Sequence, residues 1–121
     1  MTADHATLDR SDSRLIPLYT RLIDDDRHLI EEIRDRLTGA LFAEEIAPAL
    51  VGLTGTIERL QGRLDALEFG HAYLADGLED GELMSFLDQR LVDRIADGFT
   101  LNQIRGFASV ITDTQTELLA R

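Results

Sequence analysis

Between Ile46 and Leu78, apolar residues recur at alternating steps of four and three: Ile46, Leu50, Leu53, Ile57, Leu60, Leu64, Leu67, Leu74 and Leu78. His71 fills the one remaining slot. A 3.5-residue period of this kind is the seam of a long helix that packs at a shallow angle on other helices, as in a coiled coil. Proline inside a helix removes a hydrogen bond, so either a short turn precedes a new helix at Pro48 or the helix is kinked there; the pattern predicts a central helix over about 48–76, roughly 43 Å long at 1.5 Å per residue. Gly52, Gly55, Gly62 and Gly70 interrupt it. Each weakens a helix relative to alanine, so each is expected where a neighbour comes close or the helix bends. Ala66, Phe69 and Tyr73 make a second apolar face, which predicts that the later half is buried on two sides.

Upstream, Leu15, Ile16, Tyr19, Leu22, Ile23, Leu29, Ile30, Ile33 and Leu37 form one broad stripe. Ser13 is the expected N-cap and Pro17 fits the first turn. Thr38-Gly39 reads as the stop, with glycine in the left-handed position after the last turn. Asp26 falls inside the stripe. It either reaches water at the stripe's edge or is buried against Thr54, Thr56 or an arginine, because an unpaired buried carboxylate is too costly.

Downstream, Ala75-Asp76-Gly77-Leu78 and Ala96-Asp97-Gly98-Phe99 repeat one stop signal, glycine followed by an apolar residue, as in a Schellman ending. Helix three lies between them, from about Asp80 to Asp97, with Leu83, Phe86, Leu87, Leu91 and Ile95 expected inward. Thr100 and Gln103 have capping-box spacing, with Phe99 and Ile104 as a staple. Helix four then runs through Leu101, Ile104, Phe107, Ala108, Ile111, Leu118 and Leu119.

The fold class that follows is an all-α four-helix bundle: an antiparallel hairpin of helices one and two, then two shorter helices covering the far half of the long one. Residues 1–13 are polar and aperiodic and are expected to form a flexible N-terminal arm. Residues 14–121 are expected to form a single domain. Helices of unequal length leave apolar surface over, which favours a homo-oligomer, most simply a two-fold homodimer.

Charge narrows the partners. The net charge is −11, and all 12 basic residues are arginine. Such a field disfavours direct binding to a nucleic-acid backbone or an anionic membrane, and it suits a basic protein partner or a salt-adapted interior. Cysteine is absent, which excludes thiol catalysis, disulfides and thiolate metal sites. No apolar run reaches the roughly 18 residues of a membrane span, and no signal-peptide pattern opens the chain. A cytoplasmic location is the simplest expectation.

Candidate chemistry is sparse. Asp25-x-x-His28 and Glu68-x-x-His71 place a carboxylate and an imidazole on one helix face. Paired Glu-x-x-His motifs of that spacing resemble the di-iron site of ferritin-like bundles, which implies carboxylate and imidazole ligands. The expected hairpin register, however, sets Asp25 opposite about Thr56 and His71 about four turns beyond. No metal or cofactor is therefore expected, and no phosphate loop, nucleophile elbow or zinc motif indicates an enzyme. Asp26 and His71 are candidate buried polar switches, since burial or a nearby carboxylate moves such groups' ionisation.

Asp24, His28, Glu31 and Asp35 share a face at i, i+4, i+7 and i+11, and with Asp25 and Glu32 they make an acidic ridge. Read as a solvated face, the ridge is partly neutralised by Arg27, Arg34 and Arg36. Read as a site, it is the partner-binding surface of a small acidic interaction module: an adaptor, assembly factor or structural subunit. An acidic nucleic-acid mimic that inhibits a DNA- or RNA-binding effector is the first alternative. A bundle binding a cofactor or metal through His71 is the second.

Overall fold

In a computed structural model of the protein, residues 13–42 and 46–120 are described, with the side chains of 13–39 and 52–120. The N-terminal arm expected at 1–13 therefore lies almost wholly outside the described residues. Four helices follow in order: α1 (Leu15–Phe42), α2 (Ile46–Ala75), α3 (Asp80–Ala96) and α4 (Leu101–Leu119). No strand occurs among the described residues, and the helices pack as an all-α bundle.

The long helix α2 is the spine. It begins two residues before Pro48, which therefore falls in the first turn, where a missing N–H costs nothing. α1 packs antiparallel to it, with Tyr19 on Gly70 and Asp26 against Arg63. α4 runs parallel to α2, from Asn102 beside Gly55 through Gly106 beside Arg59 to Ser109 beside Arg63. α3 takes the later half, tied to it through Arg90 and Asp65. The far half of α2 is covered by both, since Phe107 and Val110 of α4 and Leu83 and Leu87 of α3 join Ala66, Leu67 and Leu74 there.

The closest crossing is made by glycines. A Cβ at Gly62 would lie 1.9 Å from the Gln103 carbonyl oxygen, and one at Gly106 would lie 1.8 Å from that of Arg59. Backbones here touch at a separation that no side chain permits. Gly70 serves a different neighbour: the Tyr19 ring comes within 2.5 Å of where its Cβ would be.

The core has two parts. Leu15 and Tyr19 of α1, Ala66, Leu67 and Leu74 of α2, Leu83 and Leu87 of α3, and Phe107 and Val110 of α4 form the main cluster. Ile30, Ile33 and Leu60, with Leu37, Leu53, Ile57 and Leu64 against them, form a smaller one between α1 and α2. Burying such aliphatic side chains contributes on the order of 2 kcal/mol each. Inside the main cluster, Thr114 Oγ1 donates to the Val110 carbonyl at 2.7 Å. The Tyr19 hydroxyl, 2.5 Å from the same Oγ1, must therefore be the donor of that second bond. Burial, only partly offset by this bond, pushes the Tyr19 phenol up to about 12.

Two helix ends form as the sequence indicates. At Gly77 (φ 105°) the Leu78 N–H bonds to Tyr73 O and the Gly77 N–H to Leu74 O; at Gly98 (φ 100°) Phe99 and Gly98 do the same with Arg94 O and Ile95 O. The Thr100–Gln103 capping box is present in both directions. Gly39, by contrast, does not end α1, which continues to Phe42 without a left-handed residue. Gly77 and Gly98 are followed by Leu78 and Phe99, which dock on the core; Gly39 is followed by Ala40, too small to anchor a reversal.

That extra turn corrects the hairpin register. Asp25 lies near the level of Leu64, not Thr56, since its neighbour Asp26 pairs with Arg63. Ser13 also departs from expectation. Its hydroxyl donates to Asp80 Oδ1 at 2.6 Å, while Asp80 Oδ2 accepts the Arg14 N–H at 3.2 Å, so one carboxylate joins the starts of α1 and α3.

Candidate protein-interaction surfaces

The six ridge residues, Asp24, Asp25, His28, Glu31, Glu32 and Asp35, are all exposed on α1. The opposite face of the helix is held by Ile30 and Ile33 on α2, so the ridge is displayed on a fixed support. None of its arginines forms an ion pair within it. Arg27 turns across to Glu68 of α2, and neither Arg34 nor Arg36 forms an ion pair with a described residue. Within the ridge only Glu32 has a partner, His28 Nε2 at 3.3 Å one turn away. Asp24, Asp25, Glu31 and Asp35 face water without a counter-charge among the described residues.

Asp26 points the other way. It is 7% exposed, so the reading of a carboxylate reaching water is corrected, and its partner is Arg63 rather than Thr54 or Thr56. Arg63 Nε donates to Asp26 Oδ2 at 2.8 Å, and Nη1 donates to Ser109 Oγ at 2.9 Å. The Ser109 hydroxyl passes on to the Gly106 carbonyl at 2.6 Å, and Asp113 Oδ2 lies 3.4 Å from Nη1. One guanidinium therefore joins α1, α2 and α4. Burial pushes the Asp26 carboxyl up, with the Arg63 bond and charge acting against it. The group binds two helices rather than a ligand, and this geometry gives it a structural role. Arg63 carries no sequence signal of its own; only its position beside the Leu60–Leu64–Leu67 seam, facing Asp26, could have pointed to it.

His71 is half-buried. It lines a shallow depression of about 350 Å³ with Thr20, Ile23, Asp24, Arg27 and Glu68. The corrected register thus brings Glu68 and His71 to the level of Asp24 and Arg27. Even so, no three His, Asp or Glu side chains converge as metal ligands among the described residues. Arg27 takes the Glu68 carboxylate instead.

A second surface, with no charge pattern to advertise it, lies between α2 and α3. Phe86 and Ile95, expected inward, are 37% and 47% exposed, and Tyr73 is 41% exposed. The reason is length. Leu83 and Leu87 already fill the space facing the core, which leaves the neighbouring face of α3 to solvent. Phe69, Tyr73 and Phe86 lie tilted against one another, at 54° and 57°, with ring centroids 4.9 and 5.1 Å apart. The Arg90 guanidinium stacks 4.7 Å above Phe69 while its Nε donates to Asp65 Oδ1 at 3.0 Å. Asp65 also faces Arg94 Nε at 2.9 Å, but that N–H is not directed at the carboxylate and makes no hydrogen bond. The rings floor an open depression of about 510 Å³ walled by Ser85, Gln89, Arg90 and Asp93.

No described helix is long and apolar enough to cross a membrane. Comparison with protein-family models, with curated protein sequences and with solved structures gives no match.

Proposed function

We propose that this protein is a small acidic interaction module that captures a basic protein partner on the α1 ridge. One observation carries the reading: Asp24, Asp25, Glu31 and Asp35 are exposed and lack a counter-charge among the described residues, on a helix whose other face is packed. Rim charges of this kind steer association and set its salt dependence more than they add affinity. A face left unneutralised, in a chain of net charge −11, suits that task. Capture by the immobilised protein, compared with a Glu31→Lys/Glu32→Lys variant of equal helicity, tests it. The proposal expects retained basic proteins to be lost from the variant, and equal retention by both would refute it.

The same ridge supports a second reading as a nucleic-acid mimic. Asp24 and Asp35 stand about 16 Å apart along one face at 1.5 Å per residue, a short string of uncompensated negative charge. In that case the captured protein would be a DNA- or RNA-binding effector, and added DNA would displace it.

A further inference from the structure

We propose that the Phe69–Tyr73–Phe86 ledge between α2 and α3 docks an arginine side chain of a basic partner segment, stacked on the exposed Tyr73 and Phe86 rings and paired with Asp93. The inference rests on the reading of the protein as a module for basic partners, and it names a second contact and the side chain that makes it.

The chain displays the required chemistry once already. The Arg90 guanidinium carbon lies 4.7 Å from the Phe69 ring centroid, and Asp65 takes its Nε–H, so a ring and a carboxylate together hold one guanidinium. The neighbouring rings repeat half of that arrangement. Tyr73 and Phe86 are exposed, and Asp93 stands on the wall of the same depression. Asp93 Oδ1 accepts a 3.0 Å bond from Gln89 Nε2, which positions the carboxylate without neutralising it. A planar guanidinium matches a ring face and a carboxylate at once, whereas an ammonium matches mainly the charge.

The rings are too close together to form a cage around a cation. At 4.9 and 5.1 Å between centroids they touch one another, so the ligand lies on the ledge rather than between its members. A second copy of this chain would bring another net charge of −11 against the same face. Charge complementarity therefore selects a cationic occupant over self-association.

The test uses the full chain and three blocked octapeptides, alternating leucine with arginine, with lysine or with citrulline. Binding is read from ring carbon–proton shifts and from backbone amide shifts. The arginine peptide is expected to move the Tyr73 and Phe86 rings and to bind about threefold more tightly than the lysine peptide. Tyr73→Ala should weaken it about tenfold, and the exposed Asp93→Asn about threefold, both with helicity unchanged. Unmoved rings overturn the proposal, as does equal binding of the arginine and citrulline peptides. Shifts confined to residues 24–35 overturn the ledge while supporting the ridge; no shift on either surface removes both. A dimer in light scattering that Tyr73→Ala dissolves would assign the ledge to a second copy and overturn it.

Discussion

The crossing of α2 and α4 offers a sharp test of the fold, because one substitution should have opposite effects at two places on the same helix. Gly62→Ala puts a methyl carbon 1.9 Å from the Gln103 carbonyl oxygen, where ordinary contact begins at about 3.4 Å. The obstacle is backbone, so no side chain can swing away, and α4 must retreat by about 1.5 Å. Retreat loosens Phe107 and Val110 in the main core and strains Arg63, which reaches Ser109 on α4. Overpacking of this kind costs about 3 kcal/mol, against a gain of about 1 kcal/mol in helix propensity. The net loss is about 2 kcal/mol, or about 8 °C in Tm for a chain of this length. At Gly52 no described atom lies within 4 Å, so Gly52→Ala should keep the propensity term alone and stabilise by up to about 1 kcal/mol. Urea unfolding followed at 222 nm measures both. A Gly62→Ala protein as stable as the parent would refute the touching-backbone crossing.

Three further outcomes follow from the same packing. Gly39→Ala should stabilise by about 0.5–1 kcal/mol, because α1 continues through it with no described atom within 4 Å; destabilisation in urea would mean that Gly39 is left-handed and that α1 ends there. In a Tyr73→Phe background, where Tyr19 is the remaining tyrosine, absorbance at 295 nm should place its ionisation near 12. Because that value is raised above the unfolded 10, the stabilisation is complete below pH 10 and is lost as pH rises towards 12; a midpoint near 10 would show the ring to be solvated. Asp26 is also raised, so the folded protein holds its proton more tightly than the unfolded chain. Parent stability relative to Asp26→Asn should then fall as pH rises above 3.8 and level off once the folded carboxyl has ionised. A rising difference would show that Arg63 outweighs desolvation.

What could be read in the residues was what local chemistry decides. Gly77-Leu78 and Gly98-Phe99 stop their helices because a left-handed glycine and a docking apolar residue stand together, and both are visible in a few letters. The Thr100–Gln103 box is equally local. Gly39 shows the limit: the glycine is present, but the anchor after it is not, and one missed turn shifted the hairpin register by about two turns. With it moved the expected level of Asp25, the apparent distance between Asp25-x-x-His28 and His71, and the identity of the Asp26 partner. Exposure of Phe86 and Ile95 was likewise hidden, since periodicity marks an apolar face but not which part of it a neighbour covers. The ridge was legible because charge at helical spacing needs no tertiary information; that Arg27 takes its ion-pair partner across the bundle, on α2, was not.

The most direct test of the functional claim is the affinity of a captured basic partner for the parent protein and for Glu31→Lys/Glu32→Lys, measured from low to near-molar salt. The ridge predicts tight binding by the parent that weakens steadily as salt screens it, and weak, nearly salt-independent binding by the variant. Equal affinities with equal salt dependence would contradict it and take the ridge out of the function.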